Sequence, residues 1–278
     1  MSEIKNNAAG DGVVTVKELT KKFGNNVVLD GITLAIEAGK TTVVIGPSGC
    51  GKTVLIKHFI VLLRPSTGEV YFKNQRIDNL SEHKLNEIRT HYGFLFQGGA
   101  LFDSMTVAEN ILFPVRQHFK VIDSHKAEEL VKTKLKMVGL DGFQESYPAK
   151  LSGGQKKRVA LARAIALNPE LILYDEPTTG LDPIRSDVIN ELILKLKREL
   201  GITSIVVTHD MKSAYKIGDR IVMLHKGKIV ADGDADYIRN HPSEIVQQFI
   251  NGEMSEQDLA ALRSNGSGTE QFQPVDNG

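Results

Sequence analysis

Gly46-Pro47-Ser48-Gly49-Cys50-Gly51-Lys52-Thr53 follows the β-branched run Thr41 to Ile45 and precedes helical spacing that begins after Lys52. A strand running into a glycine-rich turn that opens a helix is the context a phosphate-binding loop requires. The glycines let the backbone wrap close, so that its N–H groups face phosphate oxygens. Lys52 is then placed to reach β- and γ-phosphates, and the Thr53 hydroxyl to ligate Mg²⁺. Cys50 is the only cysteine, which excludes an internal disulfide and points to a reducing compartment. Because such a loop works through its backbone, Cys50 reads as a tolerated variable position.

Working outward, Val13 to Val16, Val70 to Phe72 and the stretch around Phe94 to Phe96 read as further strands. Phe59 to Leu63 reads as helix core, and Lys126 to Val138 as an amphipathic helix. Leu171 to Tyr174 is a continuous apolar run ending in Asp175-Glu176, the mark of a buried parallel strand, and Ser204 to Val207 repeats it. Between them Ile189, Leu192, Ile193, Leu196 and Leu200 line one helix face. Ile221 to Leu224 and Lys228 to Ala231, joined near Lys226-Gly227, suggest a terminal hairpin. Strands alternating with helices predict an α/β fold with a mainly parallel sheet.

Asp175 and Glu176 end a buried strand at the carboxyl edge of that sheet, where open α/β folds bind ligands. Neighbouring strand residues face opposite sides, so Asp175 is the candidate Mg²⁺ partner and Glu176 the candidate for polarising an attacking water. His209, after the strand ending at Val207, is placed to contact a γ-phosphate and to orient Glu176 or the water. The other histidines show no metal-ligand spacing.

Leu151-Ser152-Gly153-Gly154-Gln155 opens a second helix and looks like half of another phosphate site, with free N–H groups suited to an anion. Two unlike half-sites on one chain are most simply read as one member of a head-to-tail pair. Lys156, Lys157 and Arg158, which oppose the helix dipole, read by themselves as a solvated basic face.

The 278 residues carry 34 Lys plus Arg against 34 Asp plus Glu, a balance that argues against a dedicated nucleic-acid binder. No run approaches the ~20 apolar residues that span a bilayer, and Met1 to Gly12 is polar with no signal-like apolar region. The chain is expected to be soluble and cytoplasmic, with any membrane role exercised through a partner. Ser255 with Asp258 suggests a capped short helix over Glu256 to Arg263, and Ser264 to Thr269 is linker-like.

In this order, Gly46–Thr53 as Walker A, Leu151–Gln155 as signature, Leu171–Glu176 as Walker B, Gly180-Leu181-Asp182-Pro183 and His209 resemble an ATP-binding cassette (ABC) ATPase over about Val13 to Asn240. The resemblance implies a P-loop NTPase (RecA-like) core, an antiparallel β-subdomain, a helical subdomain over about 97–163 within a 13–240 cassette, and a C-terminal helix and flexible tail over 241–278. By the same resemblance, Phe23 stacks on adenine, and Gln97 links the metal to a transmembrane partner. Ser152, Gly153, Gly154 and Gln155 act on the other chain's nucleotide, and Asp182 lies across the dimer. Val54 departs from the second hydroxyl that many members carry there. The implied assembly is a homodimer around two ATP molecules, with Mg²⁺ as cofactor, docked on permease subunits at the inner face of the plasma membrane.

Phe96-Gln97-Gly98-Gly99-Ala100-Leu101-Phe102-Asp103-Ser104-Met105-Thr106-Val107 resembles the ATPases of Mla/Mce-type lipid transporters. That group is implied to work with a permease dimer, an MCE-domain protein and often a small STAS-domain subunit. Alternatives are another ABC importer, such as a polar amino-acid system (Tyr147-Pro148 suits importers generally), or a soluble ABC assembly factor. Translation members usually carry two cassettes in one chain, and repair members long insertions; neither is present.

Overall fold

A computed structural model of the chain describes residues 12–119 and 123–253. The expected helix at Glu256 to Arg263 and the linker after it lie outside the described residues.

One sheet is antiparallel, in the order β2 (Asn26–Glu37), β1 (Gly12–Phe23), β4 (Thr67–Phe72) and β5 (Gln75–Arg76). The other runs β10 (Lys228–Gly233), β9 (Arg220–His225), β3 (Thr41–Ile45), β8 (Thr203–Val207), β7 (Leu171–Asp175) and β6 (Tyr92–Leu95). All of its neighbouring pairs are parallel except β9 with β10. The helices are α1 (Lys52–Phe59), α2 (Glu82–Arg89), α3 (Val107–His118), α4 (Ser124–Met137), α5 (Gly153–Ala164), α6 (Pro183–Leu200), α7 (Met211–Ile217), α8 (Ala235–Arg239) and α9 (Glu244–Asn251).

The period of two along each parallel strand divides the interior into two cores. Val43, Ile45, Ile172, Tyr174, Val206, Ile221 and Met223 face one, with α3 to α6 packed over it. Val44, Leu171, Leu173, Ile205, Val207, Val222 and Leu224 face the other, shared with α1 and the antiparallel sheet. Both faces being covered, β3, β7 and β8 are buried at every position, Thr41, Thr42, Asp175, Thr203 and Ser204 included.

The hairpin at Lys226-Gly227 forms as expected. Both residues take positive φ, 46° and 76°, the two-residue turn whose twist matches the strands it joins. A Cβ on Gly227 would stand 2.6 Å from the Val28 carbonyl oxygen, so glycine also lets the turn lie against β2.

Several sequence expectations need correction. The helix after the phosphate loop ends at Phe59; Ile60 and Val61 are buried in the turn that follows, Val61 at φ 51°, and Leu62 is exposed. The strand near Phe94 stops at Leu95, leaving Phe96 exposed and stacked on Phe94 at 4.1 Å. Leu200 ends α6 in solvent rather than on its buried face. Cys50 is buried in the core beneath the loop, and burial pushes its thiol pKa up, so it is a packing residue rather than a neutral position.

Candidate functional site

Parallel pairing carries the candidate residues to one edge. Val44 is opposite Val207, Val207 is opposite Asp175, and Leu95 is opposite Tyr174. The phosphate loop, Asp175-Glu176, Thr208-His209 and Phe96-Gln97 therefore all leave the sheet at its carboxyl edge. Two backbone bonds lock this register past the strand ends: Glu176 N–H donates to Val207 O at 2.9 Å, and Thr208 N–H to Val44 O at 3.2 Å.

Gly46, Gly49 and Gly51 take φ values of 145°, 76° and 107°, which curl Gly46–Gly51 around the N-terminus of α1. Lys52 is buried and folds back, its Nζ donating to the carbonyls of Gly46 at 2.7 Å and Pro47 at 2.9 Å. Among the described residues no carboxylate pairs with it. A buried ammonium at a helix N-terminus, with no carboxylate in ion-pair contact among the described residues, suits an anion with more than one negative charge.

Thr53 Oγ1 donates to Asp175 Oδ1 at 3.1 Å, joining α1 to β7 across the edge of β8. Asp175 is buried, and burial raises its carboxyl pKa, opposed by the Thr53 hydrogen bond and reinforced by neighbouring Glu176. A hydroxyl and one buried carboxylate are the donor set of a hard cation such as Mg²⁺ that shares its shell with phosphates and water. No group of three or more His, Cys, Asp or Glu side chains among the described residues offers a protein-only cage. Gln97 is exposed beyond β6, beside this edge.

Glu176 leaves β7 at φ 50°, an uncommon conformation for a side chain-bearing residue. Its Oε2 lies 2.9 Å from His209 Nδ1 and accepts the Thr179 hydroxyl at 3.0 Å. The sheet thus separates the two carboxylates as alternation requires: Asp175 towards Thr53, Glu176 towards His209. Beside His209, a cleft of about 330 Å³ opens between the Thr178–Leu181 turn, α6 and the start of α7.

Ser152 caps α5 by accepting from Gln155 N–H at 3.3 Å, while Gln155 Oε1 accepts from Ser152 N–H at 2.8 Å. Ser152 and Gly153 are exposed at the start of α5. Asp182 caps α6, accepting from Arg185 N–H at 2.9 Å. Phe23 ends β1, 48% exposed, with Lys21 Nζ 5.1 Å above its ring. Val54, one turn into α1, is half-buried against the core shared with the antiparallel sheet.

The bases after the signature are not a solvated face. Lys157 is buried, and its ammonium donates to the carbonyls of Pro177 and Thr179, both at 2.7 Å. Arg158 donates to the carbonyl of Gly139 at 3.1 Å. The available signal was spacing: Gly154, Lys157 and Leu161 fall at i, i+3 and i+7, on the buried stripe of α5. Two further residues escaped the sequence reading. Arg163 clasps the carbonyls of Gly99 and Ala100 at 2.7 and 2.8 Å. Asn110, fully buried, bonds both the N–H and the carbonyl of Phe102 and holds the loop ahead of α3.

A phosphate loop opening α1, acidic residues at the end of a buried strand two places along the sheet, and a mainly parallel sheet covered by helices on one face and by α1 with the antiparallel sheet on the other define a P-loop nucleoside triphosphatase. Within that class, the family model described as ABC transporter matches residues 29–179, more than half of the chain, and the chain belongs to that family as its ATP-hydrolysing subunit. It is 42% identical over 241 residues to the intermembrane phospholipid transport system ATP-binding protein MlaF of Haemophilus influenzae, covering 87% of this chain and 91% of the relative. It is 40% identical over 249 residues to the probable ribonucleotide transport ATP-binding protein mkl of Mycobacterium leprae, covering 87% of this chain and 72% of that one. A solved ATP-binding cassette, a dimer in a post-hydrolysis state with ADP and Pi, superposes with a TM-score of 0.74 at 36% identity, over 80% of this chain and 98% of that one. Among the described residues no helix is long and apolar enough to cross a membrane.

Proposed function

We propose that this chain is the ATPase of a phospholipid transporter of the Mla/Mce type. Two copies would close head to tail around two ATP molecules and drive a membrane permease from the inner face of the plasma membrane. The observation that carries the cargo assignment is the 42% identity with MlaF over 91% of that protein's length. Phe96 and Phe102, exposed on either side of the Gln97–Leu101 segment, would give a membrane partner an apolar foothold. An MCE-domain protein and a STAS-domain subunit are the further partners of this reading.

Bound Mg²⁺–ATP would supply the phosphoanhydride bond and the metal's charge neutralisation, with Thr53 and Asp175 as the protein's contribution to the cation's shell. Lys52 and the loop N–H groups set the phosphate position; the transfer asks the protein mainly for positioning and electrostatics. Phe23 offers its exposed ring to the base. Glu176, aimed by His209 and Thr179, accepts hydrogen bonding from the attacking water and orients it. Ser152 and Gly153 are exposed at the start of α5, and the Gly153 and Gly154 N–H groups lie outside the Ser152–Gln155 cap, where the second copy's phosphates would complete the anion site.

The test is to purify the chain with its membrane-embedded partner and analyse the bound small molecules by mass spectrometry. Phospholipid at stoichiometric levels supports the assignment. Ribonucleotide or amino acid in its place, with no phospholipid, overturns it and leaves the ATPase intact.

A further inference from the structure

Lys157 is 6% exposed, yet no carboxylate among the described residues pairs with it. Its ammonium faces backbone instead: Pro177 O and Thr179 O at 2.7 Å and, more loosely, Glu176 O at 3.4 Å. An ammonium has three donors and no acceptor, and three carbonyls of a single turn converge on it. Desolvation lowers the Lys157 pKa, with the charge of Glu176 opposing that shift. The carbonyl cluster therefore holds a buried cation that would otherwise be costly.

The turn it holds is the one that aims Glu176. That residue sits at φ 50°, and Thr179 lends both its hydroxyl to the Glu176 carboxylate and its carbonyl to Lys157. Backbone in a sparsely populated region persists only where its surroundings over-determine it. Lys157 supplies such a determinant from another element, and that element begins at Ser152 to Gln155. Gln155, which closes the cap of α5, lies two residues before it.

We propose that Lys157 is a positioning residue. It would couple the seating of the α5 N-terminus on the second copy's nucleotide to the aim of this chain's own Glu176. The coupling rests on the reading of Glu176 as the water-orienting carboxylate and of Ser152–Gln155 as the segment that meets the partner's phosphates. A rigid helix with one end on the partner's ligand and a charged clasp on the catalytic turn gives each site a physical means of sensing the other.

The experiment is steady-state and single-turnover ATP hydrolysis by the full-length chain, with Lys157→Met, Lys157→Arg and each combined with Glu176→Gln. Lys157→Met should lower kcat roughly 10-fold or more, with KM for ATP within about 2-fold, the pattern of an interaction that matters in the transition state. Lys157→Arg, which keeps charge and donors, should restore kcat to within about 3-fold. In the Glu176→Gln background Lys157→Met should change nothing further, since groups acting through one another are not additive. Unchanged kcat, a raised KM at intact kcat, or an equal further loss on top of Glu176→Gln each overturns the proposal. If Lys157→Met does not fold, Lys157→Gln, with two donors for the carbonyls, is read by the same criteria. Near-normal turnover of Glu176→Gln alone strikes the Glu176 reading. A dead Glu176→Gln beside a normal Lys157→Met strikes Lys157 only.

Discussion

His209 Nδ1 stands 2.9 Å from Glu176 Oε2, the oxygen that also accepts the Thr179 hydroxyl. The Glu176 carboxylate is therefore gripped from two sides, by the segment after β8 and by its own turn, with its second oxygen left for another partner. If Glu176 orients the attacking water, as proposed, this double hold fixes the carboxylate in one direction.

Glu176→Gln keeps the shape of the side chain and removes its charge. Nucleotide affinity should stay within about 2-fold while turnover falls roughly 10²- to 10⁴-fold, the usual range for a lost general base. His209→Ala should lower turnover in the same direction and leave equilibrium binding alone. Measuring ATP binding by fluorescence beside phosphate release separates the two effects. Turnover of Glu176→Gln near that of the natural chain would remove Glu176 from this role.

Ser152 has a local job, capping α5, and a proposed remote one at the second copy's phosphates. Two substitutions pull these apart. Ser152→Ala loses the cap and should cost about 1 kcal/mol in chemical denaturation. Ser152→Asp is an equally good cap, so the free chain should unfold at nearly the same denaturant concentration. It also places a negative charge at the exposed helix end, and ATP-dependent dimerisation, followed by sedimentation in a Glu176→Gln background, should be lost. A dimer that survives Ser152→Asp would mean that this end of α5 meets no phosphate.

Asp175 is one group at the candidate site whose titration bears on stability. Burial raises its folded-state pKa above the unfolded value. For a raised acid the folded state binds the proton more tightly, so stability is present at low pH and is lost as pH rises through the folded pKa. Asp175→Asn removes that dependence and still accepts the Thr53 hydroxyl through its amide oxygen. The nucleotide-free variant should therefore be more stable than the natural chain at about pH 8, with the gap closing as pH falls towards the carboxylate range. Its affinity for Mg²⁺ in the presence of ATP should drop roughly 10- to 100-fold. Urea titrations across pH measure the first effect and the Mg²⁺ dependence of turnover the second. A variant less stable at every pH would show that Asp175 is held by more than its hydrogen bond to Thr53.

The parts of this site legible in the sequence are those whose signal is local. The glycine loop, the apolar run into Asp175-Glu176 and the Lys226-Gly227 turn each announce themselves within eight residues. What was missed depends on long-range packing. Asn26–Glu37 pairs with β1 from end to end, through several register shifts, although polar residues interrupt it, because β1 supplies its hydrogen bonds. Val107–His118 forms α3 in spite of Pro114, since Thr106 and Glu109 cap it reciprocally and Asn110 ties its first turn to Phe102. Lys157 was misread because charge suggests solvent, and only the approach of the Pro177–Thr179 carbonyls makes a buried ammonium tolerable.

Gly46 and Gly49 look interchangeable in the sequence and are not. At Gly46 a Cβ would stand 2.1 Å from the carbonyl oxygen of Leu224, backbone of the neighbouring β9, at φ 145°. Relief would require β9 to move away from β3, with which it is paired over Thr42 to Ile45. At Gly49 a Cβ would meet nothing within 4 Å, and only the positive φ of 76° resists it. Gly49→Ala should therefore cost roughly 1–2 kcal/mol of left-handed strain, lowering Tm by a few degrees in a chain of this size. Gly46→Ala combines strain with a backbone collision and should cost about 4 kcal/mol or more, the range reserved for named steric defects. Paired thermal melts of the nucleotide-free chains decide it. Equal losses for both substitutions would show that β9 yields at Leu224 without cost, and that the glycine at 46 is needed for the backbone angle alone.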